Sequence, residues 1–208
     1  MNSTSFLIGH SIELRIPLDS DVMESGWSSW YNDPKTTRYN SHGVFPITPK
    51  KELEVVHEIM ENPRHILLAI FDKNNKKLIG NAALQNIDLI NRHCNIAITI
   101  GEEAPISAGV EVYGLLANHA FMRLNLHRIE DSCHEKLKTF ADMLGVLGFK
   151  VEGIGKDYFL RNGIWSDKIY FSLLAEDFKA LQKERGGLIL FKNYNELLNE
   201  IKSKINPI

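Results

Sequence analysis

CNIAITIGEEAPISAGVEVYGLLANHAFMRL, residues 94–124, decides the fold. Its first part, Cys94–Gly101, reads as a strand, and its last part, Val110–Leu124, carries apolar residues at helical spacing. Between them ISAGVEVYG (Ile106–Gly114) leads into a helix N-terminus, where unpaired N–H groups and the positive end of the helix dipole favour an anion. Phosphate-holding loops usually carry two or three glycines. This one has Gly109, with Ser107 and Ala108 beside it, and Pro105, which has no N–H to offer, just upstream. It reads either as an anion cradle or as a plain turn in which Gly109 serves for its dihedral freedom.

Upstream, His65–Asp72 and Lys77–Ile90 are two more strand-like runs, joined to each other and to Cys94–Gly101 by short polar turns. That spacing predicts an antiparallel meander. Before it come a strand, Ser11–Leu18, and a helix from Asp19 to about Tyr31, capped by Asp19, Ser20 or Asp21 and stopped by Asn32-Asp33-Pro34. TTRYNSHGVFPIT (Thr36–Thr48) reads as an ordered loop, and Thr48-Pro49 opens a second helix. Downstream lie a strand at His127–Cys133, a helix at Leu137–Leu147 ended by Gly148, and two strands about an Asn162-Gly163 turn. A helix follows at Ala175–Lys183. After Gly186-Gly187, LILF and NYNELLNEIKSKI predict a short strand and a helix. The organisation expected is one domain over residues 1–183 and an extension over 184–208. The extension is read either as an added strand and helix or as a contact in a homodimer.

The chain has 208 residues, 44% hydrophobic and 24% charged, enough for one sizeable core. A formal charge of −2 supplies no basic field for nucleic acid. The two cysteines, Cys94 and Cys133, have no metal-ligand spacing and no indicated catalytic partner, so no metal is expected and both read as buried thiols. The first residues lack a basic stretch followed by a long apolar one, and no apolar run approaches the ~18 residues of a membrane span. A cytoplasmic protein with no membrane partner is expected.

Set in order, IELRIPLDSDV, WYNDPKTTRYNSHGVFP, LIGNAALQNIDLINRHCNIAITIG, HAFMRLNLHRIE, LGFKVEGIGKDYFLRNGIW and SDKIYFSLLAEDF resemble the GCN5-related N-acetyltransferase (GNAT) family. The branch it resembles contains ribosomal-protein and amino-sugar acetyltransferases. The likeness covers roughly residues 10–178. It implies an α/β (α+β) fold: a central mixed, mostly antiparallel twisted sheet, splayed in its middle and flanked by helices. It also implies acetyl-CoA as co-substrate and direct acetyl transfer to a primary amine, on an amino sugar or a protein N-terminus.

The resemblance assigns the cofactor to the splayed strand, with Ile98 and Ile100, and to the loop Ser107, Ala108, Gly109, Val110 and Glu111. It places the amine cleft near Trp27, Tyr39, His42, Asn81 and Gln85. Asn81 and Gln85, four apart on one strand, share a face. Asn95 and Glu102 are the candidates for catalytic work, Asn95 by orienting water and Glu102 as the nearest carboxylate. Four family landmarks are altered: a loop glycine falls on Ser107, a strand Glu on Asn95, a helix Asn near Leu137, and the Tyr that protonates the leaving thiolate near Leu144. The alternative reading is therefore an inactive relative, a binding module that has lost or altered its acetyl-CoA site.

Overall fold

The computed structural model describes residues 4–40 and 43–187, together with Glu196 and Asn199. The strand and helix expected beyond Gly187 lie outside the described residues, apart from those two positions. In chain order the elements are β1 (Ser5–Ile8), β2 (Ile12–Arg15), α1 (Asp19–Met23), α2 (Trp27–Asn32), α3 (Pro49–Glu61), β3 (Ile66–Asp72), β4 (Leu78–Asp88) and β5 (His93–Ile100). Then come α4 (Ala108–Met122), β6 (Arg128–His134), α5 (Lys138–Val146), β7 (Lys150–Arg161), β8 (Ile164–Leu174) and α6 (Ala175–Glu184).

Among the described residues eight strands form one sheet in the order β1-β2-β3-β4-β5-β6-β8-β7. Neighbours are antiparallel except β5 and β6, which are parallel. The meander β3-β4-β5 is as the polar turns required. One face carries the larger core, in which Ile70, Leu84, Ile96 and Ile129 meet Leu116, Leu144 and Phe178 of α4, α5 and α6. The other face packs Leu67, Ala69, Phe71 and Ala83 against Trp27, Trp30 and Val56 of α2 and α3.

Two elements differ from the sequence reading. Ser5–Ile8 is an additional strand, an edge partner for β2. The helix expected over Asp19–Tyr31 is two short helices, because Ser25 intervenes. Its hydroxyl donates to the Asp21 carbonyl and accepts the Trp27 N–H, at 3.1 Å, competing with the helical backbone for both groups. The cap of α3 is as expected: the Thr48 hydroxyl accepts the Lys51 N–H at 3.2 Å, with Pro49 at the first position. Thr48→Ala should cost about 1 kcal/mol of stability in urea unfolding; an unchanged midpoint would show that the cap contributes nothing.

The feature that positions a site is the seam between β5 and β6. Their register is His93 with Arg128, Cys94 with Ile129 and Asn95 with Glu130, and there it stops. From Ile96 to Ile100, β5 stays paired to β4, while β6 from Asp131 to His134 stays paired to β8. The sheet opens there as a fork, with its apex at Asn95 and Glu130. At about 3.3 Å per residue, the unpaired edge of β5 runs roughly 16 Å from the apex towards the start of α4.

Candidate active site

Alternation along β5 divides the fork into two faces. Cys94 and Ile96 lie in the larger core, with Ile98 and Ile100 packed against it, so the even residues face α4. Ile98 and Ile100 therefore offer the fork their backbone edge while their side chains pack on the core. Asn95, Ala97 and Thr99 face the opposite way, beside Gln85, Ala83 and Asn81 of β4. The expected shared face of Asn81 and Gln85 is thus present, on the side of α2 and α3.

At the wide end of the fork stands the loop before α4. Ser107 and Ala108 are fully buried. The Ser107 hydroxyl donates to Glu111 Oε1 at 2.8 Å and lies 3.2 Å from the Ser11 hydroxyl. Glu111, 1% exposed, also accepts the Ser11 hydroxyl at 2.6 Å and, through Oε2, the backbone N–H groups of His10 and Ser11 at 2.7 and 2.9 Å. The side chains of Ser107 and Glu111 thus tie the turn between β1 and β2 to α4. They point inward, away from an approaching anion, and only the backbone of this loop remains to hold one. Gly109 has no positive φ, so dihedral freedom is not its purpose. A Cβ there would stand 3.0 Å from Met143 Sδ, so the glycine allows α5 to approach α4. The N–H groups of Gly109 and Val110 belong to the first turn of α4, ahead of any i−4 acceptor within the helix.

At the narrow end, Asn95 is committed to the scaffold. Its Nδ2 donates to the Glu130 carbonyl at 3.3 Å, and its Oδ1 accepts from Asn86 at 3.1 Å. It pins the apex and leaves no group to take a proton. Glu102 stands at the other end of β5, about 20 Å away along the strand. It accepts the Trp30 indole N–H at 2.8 Å and lines a cavity of about 690 Å³ with Glu103, Asp72 and Lys77. The two catalytic candidates therefore cannot serve one centre, and that carboxylate-rich cavity is no seat for a phosphate.

On the α2–α3 side the expected cleft residues separate. Trp27 is 1% exposed, and its indole N–H bonds to buried Glu52 at 3.0 Å, so it is core and not cleft. Burial pushes the Glu52 carboxyl up from its usual range. Asn81 is buried; its Oδ1 accepts the Tyr31 hydroxyl at 3.0 Å, and its Nδ2 has no hydrogen-bond partner among the described residues. Gln85 is half-buried, opposite Asn95. Tyr39 does reach the fork: its ring lies 4.9 Å from that of His134, which in turn stacks on Phe159 at 5.0 Å. His42 lies outside the described residues.

Sequence reasoning missed His134, Asp131 and Tyr113. His134 closes β6 between two aromatic rings, its Nδ1 accepting the Lys136 N–H at 3.1 Å, and burial lowers its pKa. Asp131 is the first residue of β6 beyond the apex. It shares its face with Ile129 and Cys133, both core residues, and accepts the hydroxyl of Tyr113 from α4. Its other oxygen accepts the Ser132 N–H at 2.6 Å. Burial pushes the Asp131 carboxyl up to about 7 and the Tyr113 hydroxyl well above its usual value. A signal for Asp131 did exist in the alternation Ile129-Asp131-Cys133, which puts a carboxylate on an apolar face. Beneath the apex on the opposite face, Arg128 neutralises Glu130, at 2.8 Å, and Glu152, whose carboxyl is held down to about 2 by the guanidinium. Among the described residues no group of three His, Cys, Asp or Glu could hold a metal, and no helix is long and apolar enough to cross a membrane.

A family model described as an acetyltransferase (GNAT) domain matches residues 12–150. The ribosomal protein uS5-alanine N-acetyltransferase of Escherichia coli (strain K12) is 29% identical over 143 residues, which are 67% of this chain and 73% of that protein. An uncharacterized N-acetyltransferase, p20, of Bacillus licheniformis is 26% identical over 165 residues, 77% of this chain and 89% of that one. Among solved structures, a GCN5-related N-acetyltransferase from Brucella melitensis superposes with a TM-score of 0.72 at 20% identity, covering 94% of this chain and 93% of that one. A spermidine N-acetyltransferase from Vibrio cholerae, in complex with CoA and spermine, gives 0.70 at 20% identity, covering 80% and 97%.

Proposed function

The chain belongs to the GNAT acetyltransferase family and is an N-acetyltransferase, and from that premise we propose that it holds acetyl-CoA along the fork and passes the acetyl group directly to a primary amine. The observation that carries this reading is the unpaired edge of β5, Ile96–Ile100, running from the start of α4 to the apex. The pyrophosphate rests on the first-turn N–H groups of Gly109 and Val110, where the helix dipole favours negative charge. The pantetheine amides pair with the free edge of β5, and the thioester lies at the apex. The amine enters from the opposite face, past Tyr39 and His134. Orientation of two bound reactants supplies roughly 7–11 kcal/mol of the barrier reduction.

The altered loop does not weigh against this as heavily as its sequence does. Ser107 stands where the family pattern has a glycine, yet it and Ala108 are both buried in the core. The acceptor we favour is an exposed amine at the end of a flexible chain, such as a protein N-terminus. On that side Tyr39 lies against His134, and Arg161 of the β7–β8 hairpin donates to the Asn40 carbonyl beside it.

Calorimetric titration with acetyl-CoA tests the cradle. Micromolar binding is expected, together with a Val110→Pro variant weakened about 10–100-fold, the loss of one N–H to a charged acceptor. Proline is tolerated in a first helical turn, so the fold should persist. Absence of heat at millimolar ligand in the folded protein would end the proposal. Thiol release with alanyl peptides, spermidine and amino sugars then identifies the acceptor.

A further inference from the structure

The family resemblance puts the acid of related enzymes near Leu144, which is fully buried and has no proton to give. Leu144 lies one turn beyond Phe140 on the same face of α5, and the Phe140 ring meets the Tyr113 ring edge-on at 5.7 Å. Phe149 meets the same ring at 6.1 Å. The Tyr113 hydroxyl is therefore held by apolar neighbours beside that face of α5, but it comes from α4 and is aimed at Asp131. Asp131 in turn is half-buried, one residue past the apex, on the α4 face of the gap between β5 and β6. Tyr113 behind it is 1% exposed. Of the two, Asp131 stands closer to the opening.

We propose that Asp131 delivers the proton to the departing CoA thiolate, with Tyr113 as its positioning partner. The proposal rests on acetyl-CoA occupying the fork as described above. The neutral amine nitrogen forms its bond to the thioester carbonyl carbon. The C–S bond then breaks, and the sulfur leaves with the electron pair and takes the proton from the Asp131 carboxyl. The surplus proton of the amine passes to solvent, and Asp131 regains one from solvent, so the products are an N-acetylated amine and a free thiol. The groups acting on Asp131 are the Tyr113 hydroxyl from α4, the Ser132 N–H on β6 and the Lys168 ammonium from β8, while the carboxyl in turn raises the neighbouring Cys133 thiol. Burial outweighs the hydrogen bonds and the lysine, and keeps the carboxyl largely protonated below about pH 7. A carboxylic acid with that midpoint is matched to proton donation at neutral pH.

The test uses the full chain, acetyl-CoA and an alanyl peptide, with Asp131→Asn and Tyr113→Phe. In the wild type, kcat should carry a limb that falls as pH rises through about 7, where the acid is lost. Asp131→Asn should lower kcat at pH 6.5 about 100-fold, leave the acetyl-CoA Kd within about two-fold, and abolish that limb. Tyr113→Phe removes a hydrogen bond that favours the ionised carboxylate, so the limb should move to higher pH, a displacement that a merely structural tyrosine would not cause. A second readout needs no turnover. A carboxyl raised in the folded state contributes stability that is full below the unfolded value near 4 and lost as pH rises through about 7. The melting temperature of Asp131→Asn should therefore gain on the wild type between pH 5 and 8. An active wild type whose Asp131→Asn variant keeps its kcat and pH profile would overturn the role of Asp131 and leave acetyl transfer standing. A wild type that binds acetyl-CoA yet releases no thiol with any amine would overturn both.

Discussion

Glu111→Ala should lower the stability of the folded protein by about 3–5 kcal/mol, because truncation takes the acceptor from several buried donors at about 1–3 kcal/mol each. Four donors converge on this carboxylate: the backbone N–H groups of His10 and Ser11 and the hydroxyls of Ser11 and Ser107. Truncation removes the acceptor of the buried Ser11 N–H and of the Ser11 and Ser107 hydroxyls, and of the His10 N–H nearer the surface; a buried hydrogen bond left unmade costs about 1–3 kcal/mol. Glu111→Gln should be far milder. The amide oxygen can keep the two backbone donors, and its NH₂ can give to hydroxyls that are able to accept. Chemical unfolding of the two variants checks the argument, and equal losses would contradict it. The damage in Glu111→Ala should also be local at first, since the carboxylate fastens β1 and β2 to α4. Gly9 belongs to the same arrangement, because a Cβ there would stand 2.5 Å from Glu111 Oε2.

The second large effect is at Gly101, where β5 ends. A Cβ at this position would fall 2.0 Å from Cγ of Trp30 and 2.3 Å from its neighbours in the ring. Trp30 cannot easily yield: it is 2% exposed, stacked on Trp27 at 6.0 Å and tied to Glu102 by its indole N–H. Gly101→Ala should therefore cost about 2–3 kcal/mol by overpacking, and Gly101→Val more. Gly145 in α5 provides the contrast. A Cβ there meets nothing within 4 Å, so Gly145→Ala should stabilise by about 0.5–1 kcal/mol through helix propensity. Thermal melts that place both alanines on the same side of the wild type would refute the steric account.

The contrast between these glycines also shows what the sequence could and could not reveal. Strand alternation, the polar turns, the Thr48 cap and the Asn162-Gly163 turn are local signals, and the sheet order grew from them. The family likeness supplied the splay between β5 and β6. The split of the first helix escaped notice because it depends on one serine hydroxyl competing with the backbone, which no periodicity records. The site was harder. Ser107 stands where a loop glycine is expected, and its residue type is legible while its direction is not; only the turn between β1 and β2, about a hundred residues away, explains a serine and a glutamate at those positions. Trp27 looked like a cleft aromatic, but its partner Glu52 lies on another helix. Asp131 and Tyr113 are eighteen residues apart on separate elements, and their encounter is a tertiary fact. Only the placement of Asp131 among apolar residues on its strand was there to be read.

The seam at the apex has a mechanical consequence. Among the described residues five strands lie on one side of it and three on the other, and the ladder that joins the two groups has three residue pairs. Torsion between the groups is concentrated on His93–Asn95 and Arg128–Glu130, with the Asn95 amide acting as a rivet through the Glu130 carbonyl. A flexible molecule that hydrogen-bonds along the open edge works as a splint, stiffening the joint between two half-sheets by occupying the place of a missing strand. Its effect on unfolding would then appear far from its own contacts, as the two groups of strands come to melt as a single unit.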